Sequence, residues 1–243
     1  MPISLSAARN EPNATKGRFA AIHAASDRDA IAPLTLNDHL RTLQSHSTRH
    51  HYRRGETIFA EGEPADRVYK ILAGTVRLCR YSAGGRRHIT DFVLAGDLIG
   101  FLECADQPMT AEAVEDITLI SYPRSCVDRL VASNPEIRTR VLCHLSSHLL
   151  EAQHQLFVLG CQSAKERLAS FLMRFADRTD LAPGETLDLP MGRQDIADHL
   201  GMTIETVCRT ISMLKNDGAL AVPSSHELVL KDMRALRALA VEN

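Results

Sequence analysis

Apolar and polar positions alternate with short periods in the first half of the chain and with long periods in the second. Between residues 55 and 123, runs such as ETIFAEG, RVYKILAG, TVRLCRYS, HITDFVLAG and ITLISYP are punctuated by glycines at 55, 62, 74, 84, 85, 96 and 100. Runs this short, each bounded by turn residues, predict the strands of an antiparallel roll rather than a parallel sheet. After Pro123 the pattern becomes helical. From Pro135 it extends into a stripe, Leu142, Leu145, Leu149, Ala152, Leu156 and Leu159, spaced alternately by 3 and 4 residues, with Arg138, Arg140, His144, His148 and Glu151 opposite. That spacing is an a/d seam, open to two explanations: a helix lying lengthwise on its own domain, or a coiled coil between two copies. A seam longer than one small domain needs for its own cover favours the dimer.

The flanks complete the layout. Residues 1–33 are rich in Ala, Asn, Ser and Arg, contain Pro2, Pro12 and Pro33, and read as a loose arm. Over residues 34–49, a Thr35 or Asn37 cap ahead of Leu36, Leu40 and Leu43 predicts a short amphipathic helix. Beyond Cys161, SAKERLASFLMRFADR places Leu168, Phe171, Leu172 and Phe175 on one helical face, and a loop and strand in TDLAPGETLDLP follow. The chain thus divides into an arm (1–33), a β-roll of sensor type (34–134), a dimerisation helix (135–160) and a second domain (161–243).

The most specific pattern is MGRQDIADHLGMTIETVCRTISMLK, residues 191–215. It fits two short helices joined at Gly201, which can take the positive φ such a turn requires. Ala197 is small where the helices would cross, and Ile196, Leu200, Met202, Val207, Ile211 and Leu214 fill the space beneath. Thr203, Glu205, Thr206, Cys208 and Arg209 are left outward, at the start of the second helix. A recognition helix meets base edges there, and arginine can bond guanine twice while glutamate accepts from cytosine. A plain salt bridge across one turn would explain the two charges but not the glycine turn or the hairpin that follows. That hairpin, ALAVPSSHELVLKD, carries Ser225 at its tip, and Arg193 opens the first helix; both are further candidates for DNA contact.

Composition adds constraints. The net charge of −2 does not by itself mark a nucleic-acid binder, so the DNA reading rests on local residues. No apolar stretch is long enough to cross a membrane and no secretory leader is evident, which predicts a cytoplasmic protein with no membrane partner. Six scattered cysteines without a CxxC pair predict reduced thiols. Cys79, Cys104, Cys126, Cys143 and Cys161, in apolar surroundings, are expected in the core.

These features together resemble the Crp/Fnr superfamily of bacterial transcription regulators over roughly residues 34–235, and ETVCR is similar to its FixK-like branch. The resemblance implies an α+β fold: an N-terminal antiparallel β-roll, a long dimerisation helix and a C-terminal winged helix-turn-helix. It further implies a homodimer that is mainly an activator, binds double-stranded DNA at a palindrome like TTGAT-N4-ATCAA and recruits RNA polymerase. Glu205 and Arg209 match the family's base-reading pair, and Cys208 stands where Fnr-type proteins usually have serine.

Departures from the family pattern narrow the type of regulator. Iron–sulfur members need an N-terminal cysteine group, but the first cysteine here is Cys79, and Ile120 occupies the aligned position in the roll. Cyclic-AMP binders carry an acid and an arginine where this chain has Phe101 and Met109, leaving an anionic nucleotide without charge partners. His46, His50 and His51 in HSTRHHYRR read more simply as a solvated face than as a haem or metal site. The expectation is therefore a regulator with no cofactor and no metal. Cys208, beside Arg209 and near a helix N-terminus, is set for thiolate formation, so its oxidation would add negative charge where a polyanion must dock. Equally, cysteine could stand for serine with no regulatory part. Two alternatives remain: a regulator whose roll holds an unidentified small ligand or haem, and a cupin-like metal enzyme. The second has little support, because the roll segment offers only His88 and no nucleophile-base pair is evident.

Overall fold

The computed structural model describes residues 40–101 and 104–241. The arm over 1–33 and the first half of the helix expected at 34–49 lie outside these residues. The second half is not an α-helix: a 3₁₀ segment, Arg41–His46, leads into strand β1, Thr48–Tyr52. The sequence TRHHY has no apolar alternation because β1 is an edge strand, paired only with β8 through residues such as His50 opposite Leu119.

The strands β1 to β8 are Thr48–Tyr52, Thr57–Phe59, Arg67–Ala73, Val76–Tyr81, Arg87–Val93, Leu98–Ile99, Thr110–Ala113 and Ile117–Pro123. They form two four-stranded antiparallel sheets, ordered β1-β8-β3-β6 and β2-β7-β4-β5. Ile71, Val76, Ala111, Ala113, Ile117 and Leu119 are almost wholly buried within the roll. Gly74 turns β3 into β4 with φ +84°, and a Cβ there would lie 2.7 Å from Ile117 Cγ2 and 2.8 Å from the Asp116 carbonyl, so a side chain is barred on two grounds.

Helix α1, Arg124–Ser133, begins at Pro123 and ends at Asn134, whose side chain caps the next helix by accepting from the Glu136 and Ile137 N–H groups. That helix, α2, runs 27 residues, Pro135–Cys161. Next comes α3, Ala164–Arg178, opened by a capping box between Ser163 and Glu166. Leu168, Phe171, Leu172 and Phe175 are buried on α3 as its spacing predicts. The remaining elements are β9 (Thr186–Asp188), α4 (Arg193–Leu200), α5 (Ile204–Asn216), β10 (Leu220–Ala221), β11 (Glu227–Leu230) and α6 (Met233–Val241). Strands β10, β11 and β9 make a small antiparallel sheet, the wing. None of the helices among the described residues is long and apolar enough to cross a membrane.

Three of the cysteines expected in the core are not there. Cys79 and Cys126 are buried, whereas Cys104, Cys143 and Cys161 are exposed. For Cys143 and Cys161 the reason is helical phase: the apolar neighbours that suggested burial sit on other sides of α2.

Candidate nucleic-acid interface

The turn between α4 and α5 is built as its sequence requires. Gly201 takes φ +61° and ψ 38°, and its N–H closes onto the Ala197 carbonyl. Arg167 of α3 donates to the carbonyls of Gln162 and Leu200, at 2.9 and 3.1 Å, which ties the end of α4 to the supporting helix. Ile196, Ala197, Leu200, Val207 and Leu214 are at most 1% exposed, so both helices are seated by their apolar sides.

The opposite side of α5 is open. Thr203 is its N-cap and accepts from the Thr206 N–H at 3.3 Å. Glu205 is exposed, and its carboxyl is held below the usual carboxylate range by its own backbone N–H and then by the Thr203 hydroxyl. Arg209 is exposed and its guanidinium makes no hydrogen bond or ion pair among the described residues. The salt bridge across one turn, the competing explanation of these two charges, is not formed. Cys208 is exposed beside them. Arg193 of α4 is half-buried, and burial lowers its affinity for a proton, opposed by the nearby Cys208 sulfur. Ser225 is exposed at the tip of the wing, whose base is fastened by a bond between His226 Nδ1 and the Leu189 carbonyl at 2.9 Å.

A cluster not foreseen from the sequence joins α4 to the roll. Asp195 of α4 receives Arg87 of β5 at 2.5 Å and Arg77 of β4 at 3.3 Å. Arg87 also reaches Asp198 at 2.7 Å, and Arg77 reaches Glu112 at 2.7 Å. His199 is 3% exposed, lies against Phe92 and Phe171, bonds the Ile89 carbonyl at 3.0 Å, and is pushed down to about 4 by burial. Charged and titratable residues inside the otherwise apolar period of QDIADHL were the available signal, because such residues on a core-facing helix need partners.

The apolar stripe of α2 is split. Leu142, Leu149 and Leu156 are 59%, 60% and 71% exposed and Ala152 is exposed at the edge of a cavity between α2 and the roll, whereas Leu145 is half-buried against that cavity and Leu159 is half-buried near Gly201. The cavity, about 310 Å³, is also lined by Phe101 and Met109, the residues expected to deny an anionic nucleotide its charge partners. The HSTRHHYRR histidines are not clustered around a common point: His50 bonds Ser121 and His51 bonds Thr118, from successive positions of β1. The roll accordingly holds His50 and His51 besides His88.

Comparison with known proteins agrees with this architecture. Residues 49–134 match the model of the cyclic nucleotide-binding domain, and residues 166–239 match that of the Crp-like helix-turn-helix domain. The nitrogen fixation regulation protein FixK of Azorhizobium caulinodans is 38% identical over 191 residues, covering 77% of each chain. The transcriptional activatory protein AadR of Rhodopseudomonas palustris is 37% identical over 188 residues, covering 76% of this chain and 79% of its own. The solved structure of FixK2 from Bradyrhizobium japonicum superposes with a TM-score of 0.77 at 32% identity, covering 81% of this chain and 98% of FixK2.

Proposed function

This chain belongs to the Crp/Fnr family of transcription regulators, with FixK proteins among its relatives, and from that premise we propose that it is a homodimeric activator reading a two-fold symmetric DNA site. The observation that carries the reading is the outward start of α5. Glu205, Cys208 and Arg209 are exposed on a helix whose other side is locked into the core. Entering the major groove, Arg209 would bond guanine and Glu205 would accept from a cytosine amino group. Thr203, Thr206, Arg193 and Ser225 would contact phosphates at the margins.

Two copies would meet along Leu142, Leu149 and Leu156, which repeat every seven residues on the exposed side of α2. Ala152, exposed between them, would lie at the edge of that contact, while Leu145 and Leu159 would stiffen the helix from within their own subunit. The paired recognition helices would then lie roughly 34–36 Å apart, one turn of DNA. The site would be a TTGAT-N4-ATCAA-like palindrome, and the bound dimer would recruit RNA polymerase in the cytoplasm without an iron–sulfur cluster or cyclic AMP. Oxidation of Cys208 to an acid would place negative charge against the DNA and weaken binding.

Selection of bound sequences from random DNA, run with reduced and with peroxide-treated protein, tests target and switch together. A palindrome enriched by reduced protein alone, with a Cys208→Ser variant indifferent to peroxide, is the expected result. No enrichment under either condition would refute the DNA reading, while equal enrichment would refute only the redox part. A second reading, control by a small ligand in the roll, is favoured by one observation: the cavity of about 310 Å³ against α2.

A further inference from the structure

The rim of that cavity carries a group of titratable side chains that DNA recognition does not use. His144, His148 and Glu151 follow one another at intervals of one turn on α2, on the side turned away from Leu142, Leu149 and Leu156. All three line the cavity, as does Asp91 of β5. Ligand atoms of Asp91, His148 and Glu151 lie within 4.8 Å of one another. His148 Nδ1 is 4.0 Å from a Glu151 carboxylate oxygen, too far for a hydrogen bond, and the His144 and His148 rings are 4.4 Å apart between centroids. An imidazole and two carboxylates converging from two elements are the donor set of a divalent transition ion, zinc foremost.

We propose that Asp91, His148 and Glu151 bind such an ion at the mouth of the cavity, with His144 able to complete the set. Among the described residues, the contacts of the Asp91 carboxylate fall on Oδ1: the Arg174 guanidinium at 2.5 Å, the Phe92 N–H at 2.9 Å and the more distant Arg178 at 3.9 Å. Oδ2 remains for the ion. The two carboxylates balance the dication, and Arg174, already held on the far oxygen, limits the affinity without occupying the position. Bound there, the ion would pin α2 to β5, so the stretch of α2 proposed to meet a second copy would be anchored to the roll. The site does not depend on DNA binding.

The test uses cobalt(II) as a spectroscopic probe for zinc on the full chain stripped of metal. The expected result is one ion per chain, bound with a dissociation constant below about 10 µM, and visible bands without the strong thiolate band that cysteine ligands would give. Zinc should displace it. His148→Ala and Glu151→Gln should each weaken binding at least about tenfold, with helicity unchanged by circular dichroism because both side chains are exposed. His46→Ala combined with His51→Ala should bind as wild type does. Absence of binding, a thiolate band, or binding that survives both His148→Ala and Glu151→Gln would overturn the proposal.

Discussion

Helix α4 turns its charged residues inward and α5 turns them outward, although one glycine turn joins them. On α4, Asp195 and His199 are 9% and 3% exposed, and both are matched, the first by two arginines and the second by a carbonyl and two phenyl rings. On α5, Glu205, Cys208 and Arg209 meet solvent, and Arg209 pairs with nothing among the described residues. The contrast separates two uses of charge. Buried and paired charges position a helix, and an exposed unpaired one is available to a partner. Changes on α4 should therefore disturb stability, and changes on α5 should disturb recognition.

The largest effect is expected at the cluster on α4. Asp195→Ala strips Arg77 and Arg87 of a shared partner in a mostly buried site and should lower unfolding free energy by about 3 kcal/mol, measured by urea denaturation. A loss below about 0.5 kcal/mol would show that the cluster does not hold the helix. His199 gives a pH-dependent version of the same test. Its folded-state value of about 4 lies below the ordinary 6.5, so the unfolded chain takes up the proton first as pH falls. Its contribution is fully present above pH 6.5 and declines toward pH 4, by about 3 kcal/mol in total. In His199→Asn the loss across that window should be smaller, as read from denaturation midpoints at several pH values.

On α5 the expected losses are in binding. Arg209→Ala should weaken the preferred site by about 1–3 kcal/mol and relax preference at one base pair per half-site, with stability unchanged. Equal weakening on random DNA would assign Arg209 to phosphate contact instead. Leu149→Lys, on the exposed stripe of α2, should shift sedimentation toward a monomer, and an unchanged sedimentation coefficient would move the dimer interface elsewhere. The smallest effect is expected at Thr203, where alanine removes the N-cap and should cost about 1 kcal/mol of stability.

How much was legible depended on whether a residue's role followed from its neighbours in the chain. The roll's longer strands, the glycine turn at Gly201, the buried side of α3 and the outward set on α5 all follow from local period and local φ. Strands β1, β6 and β7 escaped notice for separate reasons. TRHHY is a polar edge, Leu98–Ile99 is too short to show alternation, and Thr110–Ala113 is a central strand of mostly small residues with low strand propensity.

The chain's own periods thus determined the long helices, the longer strands, their order and the side of α5 that is free to meet a partner, because helix and strand repeats assign faces without reference to anything distant. Tertiary structure alone decided what each face meets. It divided one apolar stripe into exposed Leu142, Leu149 and Leu156 and half-buried Leu145 and Leu159. It also matched Asp195 with arginines more than a hundred positions away and brought Asp91 up to His148 and Glu151. Such pairings depend on how sheets and helices cross in space, and no local repeat encodes that.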